Sequence, residues 1–151
     1  MKTISKPGDN LGGLLKMWAI PRSVVSVSGR TVYIVSSADV YEIYCTPDSM
    51  SMQETPELSN AGTHYNVKIA GFIPRDSDTV RTAMEEMQQR PYAVLFQDGN
   101  GEYKLAGGTH EPLRFSAALS TGRETGEAAG HLILFSGPVS NRAVFVDNPF
   151  A

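Results

Sequence analysis

The 151-residue chain is 41% hydrophobic and 19% charged, with a net charge of −3 and a single cysteine. A chain of this size and hydrophobic share builds one domain with an ordinary core, and one cysteine excludes an internal disulfide. The acidic balance argues against duplex nucleic acid, and no 18-residue apolar run exists that would cross a membrane as a helix.

Residues 1–12 are polar and glycine-bearing and are expected to form an N-terminal arm, without the apolar stretch of a secretory leader. Residues 13–151 are expected to form a single β-rich domain. Leu14, Leu15, Met17, Trp18 and Ile20 form an apolar patch ending at Pro21, read as a short strand with a single helical turn as the alternative. Trp18 is too large to stay idle, so it either plugs the core or anchors a contact with another subunit. Residues 1–30 carry five basic side chains against Asp9, a balance of +4. Residues 31–62 carry Asp39, Glu42, Asp48, Glu54 and Glu57 with no Lys or Arg, a balance of −5. Segregated charges of this kind suit attraction between unlike surfaces, within one chain or between copies.

Val24, Val25 and Val27 lead to a turn signal at Ser28-Gly29, and the β-branched run Thr31 to Val35 reads as a strand. Val40 to Cys45 reads as its hairpin partner, with Cys45 as a small buried hydrophobe. Residues 46–62 hold Pro47, Pro56 and Gly62 among Ser, Met, Glu and Asn, and are expected to form a long loop. Loops of that length are usually functional, and Met50 and Met52 offer soft, adaptable contacts.

Tyr65, Val67 and Ile69 alternate with polar neighbours in a strand that runs on to Pro74. A helix is expected at about 77–90, capped by Asp76, Ser77 or Asp78, with Val80, Ala83, Met84 and Met87 as its apolar stripe and Pro91 as its stop. Tyr92 to Gln97 is apolar on both faces and belongs at the centre of a sheet. Asp98-Gly99-Asn100-Gly101 turns the chain tightly into a strand at Tyr103 and Leu105. Leu113, Phe115, Ala117 and Leu119 share one face of the next strand, a polar loop spans Thr121 to Gly130, and strands follow at Leu132 to Phe135 and Ala143 to Val146. The sum is an α+β, mostly β fold: an antiparallel barrel or sandwich of about eight strands with one helix.

Chemistry-bearing motifs are sparse. His64, His110 and His131 have no metal-ligand spacing and read as surface histidines. Asp98 to Gly101 begins like a calcium loop, but Tyr103 and Lys104 stand where further oxygen donors belong. There is no G-x-S-x-G, phosphate loop or dinucleotide fingerprint. Neither a cofactor nor a metal is expected. Pairs such as Asp76 with Asp78, or Glu85 with Glu86, read as solvated charges.

The stretch from Tyr65 to Phe135 resembles structural proteins of tailed bacteriophages and prophages, tail-tube-like proteins above all. The resemblance rests on Arg90-Pro91-Tyr92-Ala93-Val94-Leu95-Phe96-Gln97-Asp98-Gly99-Asn100-Gly101, the small-residue strand Leu113 to Ser120, and the Thr121-Gly122 loop before Leu132-Ile133-Leu134-Phe135-Ser136-Gly137. It implies a virion subunit, present in the bacterial cytoplasm before assembly. Identical copies would form stacked rings and meet other virion proteins, with the arm and the 46–62 loop making the contacts. The residues themselves agree with a non-catalytic, self-assembling protein, with Trp18, Arg22, Met50, Met52 and Glu54 as candidate subunit contacts. The alternative is a β-barrel module binding a small molecule or peptide through Tyr65, Tyr92, Tyr103, Phe115 and His131. A third reading is an enzyme with a dispersed site in which His64, His110 and His131 meet Asp98 or Glu111.

Overall fold

A computed structural model describes residues 3, 12–74, 76–120 and 129–150. Among the described residues, eleven strands and one α-helix make a mixed α+β fold dominated by antiparallel sheets. The strands are β1 (Leu14–Pro21), β2 (Val25–Ser28), β3 (Thr31–Ile34), β4 (Tyr41–Ile43), β5 (Ser51–Ser59) and β6 (Gly62–Pro74), then helix α1 (Asp78–Met87). After the helix come β7 (Tyr92–Asp98), β8 (Tyr103–Ala106), β9 (Arg114–Ser120), β10 (Gly130–Val139) and β11 (Val144–Phe145).

They form a five-stranded sheet in the order β11-β8-β7-β1-β4, a four-stranded sheet in the order β5-β6-β10-β9, and the β2–β3 hairpin. Among the described residues no sheet closes on itself, so the barrel arrangement expected as one alternative is not adopted.

The five-stranded sheet lies in the middle because β1 and β7 are apolar on both faces. Met17, Ala19, Val94 and Phe96 point to one core, which they share with Val67, Ile69, Phe115, Ile133 and Phe135 of the four-stranded sheet and with Met84 and Met87 of α1. Trp18, Ile20, Ala93 and Leu95 point the other way, to a second core under Val25 and Val32 of the hairpin and Val146 near the C-terminus. Alternate side chains of one strand thus feed two cores. Each fully buried Leu, Ile or Phe contributes about 1.5–3 kcal/mol.

Two sequence expectations are corrected. The 46–62 segment is not a long loop: β5 occupies its second half and pairs with β6 from Ser51↔Ala70 to Ser59↔Gly62. Its alternation is masked because Glu54 shares the inward side with Met52, and Pro56 is tolerated because β5 is an edge strand. The β3–β4 hairpin also does not form. β3 pairs with β2 through the Ser28-Gly29 turn, whose Gly29 has φ 60°, and β4 pairs with β1. Helix α1 starts after Ser77, whose hydroxyl accepts the Val80 N–H at 3.3 Å, and stops short of residue 90. The expected arm, apart from Thr3 and Gly12, and residues 121–128 of the expected polar loop lie outside the described residues.

Candidate assembly surface

The four-stranded sheet is open at both ends, with β5 on one edge and β9 on the other. Each carries a row of N–H and C=O groups turned away from its single neighbour. Three successive antiparallel pairings connect them, so β5 and β9 run in opposite directions.

The outer face of this sheet is neutral at its centre. Leu132 of β10 stands between Phe72 of β6 and Ala118 of β9, and Leu134 stands between Ala70 and Ser116. Leu132 is 54% exposed although it is a large aliphatic side chain. One row further along, Ser136 is flanked by Lys68 and Arg114, which gives the face a basic end.

The β5–β6 hairpin projects beyond the sheet. Strand β10 follows β6 only as far as Tyr65, opposite Val139, so residues 57–63 have no third strand beside them and are exposed on both faces. Near the tip Leu58 is 87% exposed. The two strands are joined by Asn60-Ala61, with Gly62 at φ 114°. Ser59 Oγ donates to the Gly62 carbonyl at 3.1 Å and accepts the Ala61 N–H at 3.3 Å.

The five candidate contact residues occupy different places. Arg22 is exposed, after the end of β1. Trp18 is buried in the second core, with ring centroids 6.1 Å from Tyr103 and 5.4 Å from Phe150. Met50 is buried in the first core and Met52 packs against it. Glu54 turns inward, where its Oε1 accepts the Ala143 N–H at 2.8 Å and its Oε2 lies 4.0 Å from Arg142.

The histidines stay apart. His64 pairs with Glu57 on the projecting hairpin at 3.3 Å. His110 lies in a cleft of about 580 Å³ with Glu111 and Arg142, between the β2–β3 hairpin and the segments around 107–111 and 139–144. The charged groups of that cleft are already engaged. Glu111 accepts from both the N–H and the hydroxyl of Ser140, at 2.6 and 2.5 Å, and Arg142 lies 5.2 Å from the centroid of the Tyr65 ring. His131 is not the surface histidine the sequence suggested. It is buried at the start of β10, and its Nε2 lies 3.1 Å from Asp76 Oδ1. Asp76 also binds Arg81, and this guanidinium, more than His131, holds the Asp76 carboxyl down at about 2. Among the described residues no group of three or more His, Cys, Asp or Glu is placed to hold a metal ion.

The residues considered for a ligand pocket also diverge. Tyr92 and Phe115 fill the first core and Tyr65 packs against it, while Tyr103 packs against the second. The phenol oxygen of Tyr92 is buried without a hydrogen-bond partner. Burial raises its pKa, and the neighbouring Arg90 guanidinium opposes that rise. Burial likewise pushes the Cys45 thiol up to about 11.

The surface features that matter most here were not singled out from sequence. Leu58, Phe72 and Leu132 read as ordinary strand or loop residues. The run Leu132-Ile133-Leu134-Phe135 did hold a signal, since four consecutive apolar residues in a strand must put two on each face. Among the described residues no helix is long and apolar enough to cross a membrane. Comparison of the chain with protein-family models, curated proteins and solved structures gives no significant match.

Proposed function

We propose that this chain is a non-catalytic structural subunit that assembles with copies of itself, in the manner of a tail-tube-like virion or prophage protein. The observation that carries the reading is the pair of open, oppositely directed edges on one sheet. When β9 of one copy meets β5 of the next, the antiparallel alternation continues unbroken across the junction. Such a contact uses two different surfaces, so it is head-to-tail and either closes into a ring or extends as a filament.

Three further features favour the reading. The apolar centre of the outer sheet face has little charge to desolvate. Its basic end, at Lys68 and Arg114, is suited to the acidic 31–62 segment of a neighbour. The projecting hairpin offers Leu58 to a neighbour beyond the plane of the sheet. Among the contacts expected from sequence, Arg22 has the exposure the role requires, and the N-terminal arm is a further contact of the proposed assembly. The place of action would be the virion, or the bacterial cytoplasm before assembly.

Size-exclusion chromatography with light scattering at physiological salt tests the proposal. The expected result is a closed oligomer or a larger filament in place of the monomer. Ala118→Lys on β9 and Gln53→Lys on β5 place charge beside the joining edges and should each shift the population toward monomer while circular dichroism stays unchanged. A chain that remains strictly monomeric at high concentration would overturn the reading.

A further inference from the structure

The cleft that holds His110 is built for an apolar occupant. Its charged groups are tied to its own walls, Glu111 to Ser140 and Arg142 to the Tyr65 ring. What they leave is a floor of Val25, Val27, Leu105, Val139 and Val144, in which Val27 is 41% and Val144 43% exposed. The cleft is braced from within, because Thr109 Oγ1 donates to the Val25 carbonyl at 2.9 Å and so ties the 107–111 segment to the β2–β3 hairpin. At about 580 Å³ it has room for an aliphatic side chain and the backbone that carries it.

Leu58 of a second copy supplies that side chain. Among the described residues it is the most exposed large apolar side chain, at 87%. Alternate residues of a strand share a face, so Leu58 lies on the side of Met52 and Glu54, which turn inward. Val139 of the cleft floor turns to that same side of the sheet. Gln53, Lys68, Ser136 and Arg114 stand in one row across the four strands. A neighbour whose β5 adds to β9 with its rows level therefore sets its Gln53 beside Arg114. Its hairpin then runs along the residues that precede β9, and Leu58 arrives beside Thr109 and His110 at the mouth of the cleft. We infer that the tip of the β5–β6 hairpin of one copy docks in this cleft of the next, with Leu58 on the valine floor. Charge agrees with this occupant. Glu57 is the only charged side chain of residues 57–63, and the rim of the cleft carries His110 and Arg142, the latter 65% exposed. The inference rests on the assembly reading, because the hairpin reaches the cleft only where β5 meets β9.

The test mixes two full chains with different tags, one carrying Leu58→Cys and the other Val27→Cys, at physiological salt under mild oxidation. A disulfide joining the two tags is expected, against a background set by the parent chain, whose one thiol is the buried Cys45. Both positions are exposed, so charged variants there spare the fold. Leu58→Asp should weaken assembly about tenfold or more. Leu58→Asp together with Val27→Lys in one chain should restore it, since each junction then pairs opposite charges. Assembly that persists in light scattering with no mixed disulfide, or a Leu58→Asp loss that Val27→Lys does not relieve, overturns this docking and leaves the edge-to-edge reading standing. A strictly monomeric parent chain overturns both.

Discussion

Asp76 and His131 join the helix entry to the four-stranded sheet: Oδ1 of Asp76 lies 3.1 Å from Nε2 of His131, and both carboxylate oxygens accept from the Arg81 guanidinium, Oδ1 at 2.9 Å and Oδ2 at 2.5 Å. One carboxylate therefore holds both the first turns of α1 and the start of β10. Arg81 in the helix is 5 residues from it along the chain, and His131 in the strand is 55.

This link makes stability depend on acid. The Asp76 carboxyl titrates at about 2 in the fold instead of the ordinary 3.8, chiefly because Arg81 stabilises its charge. A depressed carboxyl contributes stability that is fully present above its unfolded value and is lost as pH falls toward its folded value. Asp76→Asn should therefore melt below the parent chain at neutral pH. The gap should shrink between about pH 4 and pH 2 and close below that. Thermal melts across this range check it, and a gap that is constant with pH refutes it.

Glu54 should prove a structural residue as well as an acidic one. Its side chain is 16% exposed and accepts the Ala143 N–H, tying β5 to the chain between β10 and β11. Glu54→Ala leaves that donor without its charged acceptor and should cost about 1–3 kcal/mol in urea unfolding. Glu54→Gln keeps an acceptor oxygen and should cost clearly less.

Gly71 has no room for a side chain. A Cβ there would lie 2.7 Å from Cys45 Sγ and 3.3 Å from Met50 Cγ. Gly71→Ala should destabilise by about 1–3 kcal/mol through overpacking. Adding Cys45→Ala removes the nearest atom and should recover part of the loss, so the two changes should be non-additive in a double-mutant cycle.

Tyr92→Phe should not harm the fold. The ring is fully buried and packs edge-on against Tyr41 and Phe135, at centroid distances of 6.2 and 6.1 Å. The hydroxyl adds a buried polar atom with no hydrogen-bond partner. Removing it should leave stability unchanged or raise it by about 1 kcal/mol. A clear loss would mean that the oxygen is held by Arg90 in solution.

The burial pushing the Cys45 thiol up to about 11 has a kinetic consequence. The thiolate is the reactive form, and very little of it exists near neutral pH. Alkylation of the native chain by iodoacetamide at pH 7.5 should be slow, and denaturant should accelerate it sharply. Rapid labelling of the native chain would contradict the burial.

Much of the local structure is legible in the sequence, because alternation and turn chemistry act over a few residues. Tyr92 to Gln97, apolar on both faces, gives the central strand β7, and Asp98-Gly99-Asn100-Gly101 closes the turn into β8. There Asp98 Oδ1 accepts the N–H groups of Asn100 and Glu102, each at 3.0 Å. The helix shows in its stripe of Val80, Ala83, Met84 and Met87. Strand β5 was not legible, since the partner that lets Glu54 face inward is Ala143, 89 residues away. The pairing of β4 with β1 was hidden for the same reason: Thr31 to Val35 and Val40 to Cys45 look equally ready to pair with each other.

By itself, then, the chain's order of residues determined which segments extend, which one coils and where most of them turn, since those outcomes follow from propensity and spacing along the backbone. Only the tertiary structure decided which strands are neighbours, which apolar side chains remain outside, and where β4, β5 and β9 leave edges open. Those outcomes depend on which distant segments cover one another, and a one-dimensional pattern holds that information only weakly.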